Sequence, residues 1–415
     1  MKALIINTSD AKGGAARAAY RLHQGLQVIG VDSNMLVQVK DSDNPAVLGE
    51  SAASGLSQAK VGLRLTLDQL PLKRYRGYQK TTFSPQWLPD RITAQVRQIN
   101  PDVINLHWAN AGFMQIETLA KLNKPIVWTL HDMWAFTGGC HYSQDCDRYT
   151  SICATCPQLG SKKEHDLSRS IWKRKAKTFK NLNLTIVTPS AWLGECTKSS
   201  SLLKNFRIEC IPNGLDANLY RPIDKHFARE SLRLPPDKSL ILFGALKATS
   251  DKRKGFHLLQ AAVQELSDSA IGDSTELVIF GSSEPKDPPL FGFKTRYLGN
   301  FSDDLSLALI YSAADVFVLP SIQENLANTI MEALACGTPC VAFNIGGMPD
   351  MIEHQKNGYL AKPFDVHDLA KGIAYVLETF SINGSPHCRN KVEKEFTQEV
   401  QARHYLSLFE QVRAV

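Results

Sequence analysis

Short apolar, β-branched runs alternate along the chain with longer stretches in which apolar residues recur at helical spacing. In the first half the runs fall at residues 3–7 (ALIIN), 35–39 (MLVQV), 102–108 (DVINLHW), 125–132 (PIVWTLHD) and 184–190 (LTIVTPS). In the second half they fall at 239–246 (SLILFGAL), 276–282 (ELVIFGS), 314–321 (ADVFVLPS) and 338–344 (TPCVAFN). Strand-length runs separated by helical patterns are the mark of βαβ units and parallel sheets. Two such sets predict an α/β protein with two doubly wound parallel sheets, in domains 1–213 and 214–392. Between the sets, ECIPNGLDANLYRP (209–222) holds two prolines and an Asn-Gly pair, which interrupt any regular element, so it reads as a hinge.

Ligands of open α/β sheets bind at the carboxyl ends of the strands, and two sheets facing each other would make a cleft. Directly after the VFVLP run comes SIQENLANTIMEALACGTPCVAF. Glu324 and Glu332 are eight residues apart, so one continuous helix would set them ~80° apart. The better reading puts Glu324 in a loop and Glu332 in the first turns of a helix beginning near Asn328. The amides around Asn325, Leu326 and Ala327 would then face outward at a helix N-terminus, which suits an anion. Carboxylates beside an anion site suggest a ligand with both hydroxyls and phosphates. Taken alone, the two acids read as incidental groups on a capped surface helix.

Other strand ends add to them. KATSDKRKGFHLL follows the LILFGAL run and brings Lys252, Arg253 and Lys254 to the same rim, where cations could balance a diphosphate. NTSDAKGGAARAAYRL follows the first run; Gly13 and Gly14 allow close backbone approach before an alanine-rich helix. This loop is neither GxxxxGK[ST] nor GxGxxG, which removes support from nucleotide hydrolysis and dinucleotide redox chemistry. The ends of two more runs deliver His107 and His131; His107 reads as structural, whereas His131, in WTLHDMW, reads as a site residue.

Composition narrows the class. A chain of 415 residues with 43% hydrophobic and 21% charged content fits a soluble globular protein of two to three domains. The N-terminal apolar run is too short for a signal peptide, and no run approaches the ~20 residues that span a bilayer. The expectation is therefore a cytoplasmic protein, where clustered cysteines more often bind metal than form disulfides. The net charge of +6 is uneven: residues 162–180 carry eight Lys or Arg against two acids, and KRYRGYQK (73–80) forms a second basic cluster. In the first segment Trp172, Ala176 and Phe179 share one helical face opposite Lys173, Arg174, Lys175 and Lys177. Both clusters read either as solvated surface or as contacts to anionic lipid headgroups. No nucleic-acid module accompanies them, so nucleic acid is not an expected partner.

The fragments GGAARAA, TLHD, IPNGLD, RKGFHLL, LGNFSDDLSLALIYSAADVFVLPS, the E-x7-E stretch ENLANTIME and GGMPDMIEHQKNGYL occur in this order over nearly the whole chain. Together they resemble the family 4 retaining glycosyltransferases, of the bacterial polysaccharide-biosynthesis type. The resemblance implies the GT-B fold, two Rossmann-like domains facing a cleft, with a last helix (393–415) crossing back to the first domain. It implies Glu332 on the ribose hydroxyls of a nucleoside diphosphate sugar, and Glu324 against the donor hexose. Lys254, with Arg253 helping, matches the cation at the leaving diphosphate. His131 matches a donor-sugar contact, Gly14 the loop at the diphosphate and acceptor, and the backbone at Leu298 and Gly299 the base-binding turn. Two departures stand out: Ala245 replaces an arginine common after the strand ending FGAL, and ENLA replaces the usual EGFG.

The implied reaction is retaining transfer of a hexose from a nucleoside diphosphate sugar to a hydroxyl of a glycan, in cell-surface polysaccharide synthesis. The acceptor is a glycan or lipid-linked oligosaccharide, and a lipid-linked one would place the enzyme peripherally at the inner face of the membrane. The alternatives are a two-Rossmann sugar-nucleotide epimerase and a catalytically idle nucleotide- or glycan-binding protein. No catalytic metal is expected, because the D-x-D at Asp145 and Asp147 lies in a loop and does not end a strand. Just past His131, the stretch 137–160 spaces Cys140, Cys146, Cys153 and Cys156 as C-x5-C-x6-C-x2-C, with His141 as a substitute ligand. Four thiolates can fill a tetrahedral structural zinc site; disulfides and buried thiols remain the other readings.

Overall fold

The computed structural model describes residues 1–244, 251–269, 271–285, 291–301, 303–380 and 386–414. It divides the chain into two compact units, residues 1–213 with 401–415, and residues 214–400. Ala245, the departure noted above, lies outside the described residues, as does Val415.

Among the described residues the first unit holds seven strands: β1 (Lys2–Ser9), β2 (Asp32–Lys40), β3 (Val47–Ser51), β4 (Val103–Leu106), β5 (Ile126–Thr129), β6 (Leu184–Thr188) and β7 (Arg207–Cys210). They form one sheet in the order β3-β2-β1-β4-β5-β6-β7, and every pair is parallel. A parallel strand is covered on both faces, which is why β1 is apolar without alternation. Leu4 and Ile6 pack on one side with Ile104 and Leu106. Ala3 and Ile5 pack on the other, against Ala19, Leu22 and Leu26 of the helix Gly14–Val28.

That second face is completed by the helix Gln398–Arg413, which buries Tyr405, Leu408, Phe409 and Val412 at i, i+3, i+4 and i+7. Each such side chain contributes about 1.5–3 kcal/mol on burial, and the Tyr405 hydroxyl lies 2.8 Å from Oγ1 of Thr129. The chain rejoins the first unit at Gln401, not at residue 393. The preceding helix, Pro386–Glu395, stays with the second unit through Cys388 and Val392.

The second unit holds β8 (Ser239–Gly244), β9 (Thr275–Phe280), β10 (Lys294–Gly299), β11 (Val316–Leu319), β12 (Cys340–Phe343) and β13 (Gly358–Ala361) among the described residues. Their order is β10-β9-β8-β11-β12-β13, again all parallel. Leu240 and Leu242 pack toward the helix Asn328–Ala335, whereas Ile241 and Phe243 pack toward the helix Phe256–Ser267. These two α/β units with helices on both sheet faces make the chain a two-Rossmann-like, GT-B protein.

The basic helix expected around Trp172 forms, as Leu167–Phe179, but its charged face is not uniformly solvated. Lys175 is fully buried. Its ammonium donates to the carbonyls of Trp134 and Thr137 and sits 3.6 Å above the Trp134 ring. Arg174 grips Glu117 in a two-pronged pair of 2.6 and 2.7 Å. The helix reads differently because Ile171, Lys175 and Phe179, four residues apart, share the inward face, leaving Lys173, Lys177 and Lys180 exposed. Among the described residues, no helix is long and apolar enough to cross a membrane.

Candidate active site

In the second unit, loops leaving three adjacent strands interlock. A Cβ on Gly255, after β8, would lie 1.8 Å from the carbonyl oxygen of Pro320, after β11. A Cβ on Gly346, after β12, would lie 1.9 Å from the carbonyl oxygen of Glu324. Both glycines also have positive φ, +72° and +52°, so a side chain at either position would be excluded by strain and by contact. Two bonds tie the loops further: Arg253 donates from Nη1 to the Gln323 carbonyl at 3.0 Å, and Ile322 N–H donates to the Arg253 carbonyl at 2.9 Å.

The interlock sets Glu324 against two cations, with Oε2 2.6 Å from Lys254 Nζ and 3.3 Å from Arg253 Nη1. Burial pushes the Glu324 carboxyl up, but Lys254 and Arg253 outweigh it and hold it below the ordinary carboxylate value. Asp251 braces Arg253, accepting its backbone N–H at 3.0 Å and pairing with its guanidinium at 3.3 Å.

The helix after this loop begins at Asn328, and its N-cap, Ala327, offers no side-chain acceptor to the first amides. Leu326 and Ala327 turn their side chains into the core. Such an N-terminus attracts anions through its amides and dipole. In the same loop Ser321 holds a buried hydroxyl that finds no hydrogen-bond partner among the described residues. Glu332 lies inside the helix, 1% exposed, and accepts the Tyr311 hydroxyl at 3.0 Å. Burial, then the Glu332 charge, raises the Tyr311 phenol well above its usual value and keeps it a donor. Gly299 closes β10, two strands from β8; its carbonyl accepts Gly281 N–H at 2.8 Å, and its φ is +83°.

In the first unit, Gly13 caps the helix Gly14–Val28 without a side-chain bond. The loop before it is folded by Ser9 Oγ, which accepts the N–H groups of Ala11 and Lys12 at 3.2 and 3.0 Å. A cavity of about 650 Å³ opens there, lined among others by Ser9, Lys12, Gly13, Gly14, Val61 and Trp108.

His131 and His107 stack with ring centres 5.1 Å apart and are joined Nε2 to Nδ1 at 2.8 Å. Asn105 donates its amide to Val127 O and Thr129 Oγ1, so its Oδ1 accepts from His107 Nε2 at 2.8 Å. Burial lowers both histidines, His131 to about 4. With both rings neutral, His107 Nδ1 must accept, and His131 donates from Nε2. His107 thus acts structurally, by fixing the tautomer of His131.

The neighbouring Asp132 anchors a second network. Its Oδ2 accepts Trp108 Nε1 at 2.9 Å and lies 2.6 Å from His141 Nδ1, and its Oδ1 accepts Trp134 N–H at 2.8 Å. His141 Nε2 reaches Ser84 Oγ at 2.8 Å. Burial opposes the Asp132 charge, yet His141 and these donors hold its carboxyl below the usual range. Through His141, the cysteine-rich stretch therefore supports Trp108, a wall of the cavity.

The four cysteines of that stretch are free thiols, Cys153 and Cys156 buried, Cys140 and Cys146 partly so. They share a neighbourhood: burial first, then Cys156, Cys153 and Cys146, raise the Cys140 thiol, and burial pushes Cys153 up to about 12. Among the described residues, however, no three His, Cys, Asp or Glu side chains form a group that could hold a metal. The zinc centre expected at Cys140, Cys146, Cys153 and Cys156 therefore rests on their spacing alone. His141, the substitute ligand, is spent on Asp132 and Ser84. Hydrogen bonds hold the stretch instead, including Cys156 N–H to Asp166 at 2.8 Å and Gln158 to the Tyr142 carbonyl at 2.6 Å.

The strand-end loops thus bring together Arg253, Lys254, Glu324, Asn325, Leu326, Ala327 and, one turn into the helix, Glu332. Sequence reasoning missed Ser321, Asp251 and Tyr311 here, and the part played by Ser84 and His141 beside Trp108. Only Trp108, at a strand end, carried a signal of its own.

The sequence matches two family models: Glycosyltransferase Family 4 over residues 12–219 and Glycosyl transferases group 1 over residues 237–379. It is 26% identical over 334 residues to the sulfoquinovosyl transferase SQD2 of Arabidopsis thaliana, covering 76% of this chain and 58% of that protein. It is 28% identical over 200 residues to the UDP-Gal:alpha-D-GlcNAc-diphosphoundecaprenol alpha-1,3-galactosyltransferase of Escherichia coli, covering 46% of this chain and 50% of that one. The chain thus spans about half the length of these curated relatives. Among solved structures, Anabaena Alr3699/HepE in complex with UDP and glucose superposes with a TM-score of 0.62 at 16% identity, over 99% of both chains.

Proposed function

Because this chain belongs to glycosyltransferase family 4, matched over half its length, we propose that it transfers a hexose from a nucleoside diphosphate sugar to a hydroxyl of a glycan acceptor, with retention at the anomeric carbon. The observation that carries this reading is the Glu324 carboxylate held between Lys254 and Arg253 beside an uncapped helix N-terminus. Carboxylate, cations and amides suit a donor that separates charge as it reacts.

In the reaction the bond from the anomeric carbon to the diphosphate oxygen breaks, and its electron pair leaves on the diphosphate. Lys254 and Arg253, with the helix amides, stabilise that charge. Glu324 stabilises the positive charge left on the sugar. The acceptor oxygen bonds to the anomeric carbon from the face the diphosphate leaves, and its proton passes to the departing phosphate oxygen. Glu332 accepts the ribose hydroxyls, the turn at Gly299 holds the base, and neutral His131 contacts the donor sugar without adding charge.

The Gly13–Gly14 loop and the cavity beside it take the acceptor. The Escherichia coli relative, whose name specifies a diphosphoundecaprenol acceptor, supports a lipid-linked glycan as acceptor; we infer that the transfer takes place at the cytoplasmic face, in cell-surface polysaccharide synthesis. The complex of Alr3699/HepE with UDP and glucose supports a nucleoside diphosphate sugar as donor, with UDP-glucose the first to try. NMR of the product tests the mechanism: the donor's anomeric configuration should persist in the new linkage. An inverted product would exclude it.

A further inference from the structure

Three of the exposed leucines of the first unit lie on one helix. The helix Gly55–Asp68 buries only Asp68. Leu56, Leu63 and Leu65 are 86%, 59% and 44% exposed, and Leu70, in the turn that follows, is 39% exposed. At 100° per residue Leu56 and Leu63 lie about 20° apart on one face. Gln58, Val61 and Gly62, on the opposite side of the helix, line the 650 Å³ cavity. This helix is therefore a wall with one face toward the cavity and Leu56 and Leu63 on the other, whereas Leu65, about 180° from Leu56, lies on the cavity side. A cluster of apolar side chains left in water marks a surface that meets something else.

The charge around it says what. Residues 51–89 contain six Lys or Arg and a single acid, Asp68, which is buried. Lys60 is paired with Glu50, and Arg64 with the carbonyl of Gly112. Lys73, Arg74, Arg76 and Lys80 are exposed, and among the described residues none of them joins an ion pair. Leucines beside unpaired cations, with no exposed acid, complement an acyl boundary beneath a layer of anionic headgroups.

We propose that the helix Gly55–Asp68 and the segment through Lys80 dock on an anionic lipid bilayer. Leu56 and Leu63 enter the acyl boundary, and Lys73, Arg74, Arg76 and Lys80 meet headgroup phosphates. The cavity behind the helix then receives an acceptor whose lipid stays in that bilayer, a role that rests on reading this cavity as the acceptor site. The basic helix Leu167–Phe179 is not needed for docking.

Co-sedimentation of the full chain with vesicles tests this, using phosphatidylglycerol mixed with phosphatidylcholine against pure phosphatidylcholine. The chain should bind the anionic vesicles, less in high salt, and leave the neutral ones in solution. Lys73→Gln with Arg74→Gln should weaken partition roughly twenty-fivefold, about fivefold per cation, and Leu56→Ser with Leu63→Ser should abolish it. All four positions are exposed or half-exposed helix surface, and an unchanged thermal midpoint confirms folding. No binding to anionic vesicles, or variants that bind like the parent, would overturn the proposal. So would a dimer that dissociates in the leucine variant, since a second copy would then cover the face. Titration of the same samples with a panel of nucleoside diphosphates separates the two readings: vesicle binding with none of them bound keeps the docking surface and removes the transferase, and the converse removes the docking surface alone.

Discussion

Oε2 of Glu324 lies 2.6 Å from Nζ of Lys254, and both side chains are largely shielded from water. A buried pair of this kind contributes little net stability when intact, but removing one partner leaves a charge unpaired. Such a pair is therefore better explained by what the cation and the carboxylate do to a third charged group than by folding.

Lys254→Ala should lower kcat by about 10²–10³-fold, the usual effect of deleting one preorganised stabiliser of transition-state charge. UDP affinity should fall much less. Glu324→Gln should also be slow, and stopped-flow single-turnover measurement separates either effect from product release. An unchanged kcat with weakened UDP affinity would assign Lys254 to binding alone.

Glu332→Ala should instead weaken UDP binding roughly ten- to hundredfold, the range for hydrogen bonds to a charged group. The variant also strands the Tyr311 hydroxyl, so Tyr311→Phe is the control. It keeps the carboxylate and should retain most of the affinity by calorimetry.

Stability should decline as pH falls from about 6.5 toward 4. His23 is fully buried, with Nδ1 2.8 Å from Ser33 Oγ, and burial lowers its pKa to about 4. Over that window the unfolded chain binds the proton and the folded one does not, so acid favours unfolding. One such histidine accounts for about 3 kcal/mol at the lower end. His107 and His131 shift in the same direction. Urea midpoints at pH 7 and pH 4.5 measure the slope, and His23→Asn should flatten it.

Chelation should leave the protein unchanged. With Cys140, Cys146, Cys153 and Cys156 as free thiols, dialysis against EDTA should not move the thermal midpoint, and all nine cysteines should titrate after denaturation. One zinc per chain, lost together with stability, would show that the thiols close on a metal.

Much of the sheet framework was legible because parallel strands covered on both faces are written as continuous apolar runs. The edge strands β3, β7, β10 and β13 were not: VLGES, RIEC and KTRYLG are half-exposed and therefore mixed in character, and the buried GYLA is too short and holds too few β-branched residues to stand out. Glu209 and Cys210 were read as hinge for the same reason, although both belong to β7. Glu324, Lys254 and Glu332 stood out through their motif and strand-end positions. The Tyr311 contact to Glu332 and the Ser84–His141–Asp132 chain did not, since each joins segments far apart in sequence. Lys175 was misread because a lysine on an apolar face satisfied by two carbonyls looks, in sequence, like a solvated one.

The central claim, transfer from a nucleoside diphosphate sugar governed by the Glu324 and Lys254 loops, is tested most directly by measuring nucleoside diphosphate release. A panel of donor sugars should be assayed with and without a membrane glycolipid extract. One donor should release its diphosphate only when the extract is present, and Lys254→Ala should nearly silence it. Release that ignores the extract, or that persists unchanged in Lys254→Ala, would contradict the claim, as would tight donor binding with no turnover from any sugar.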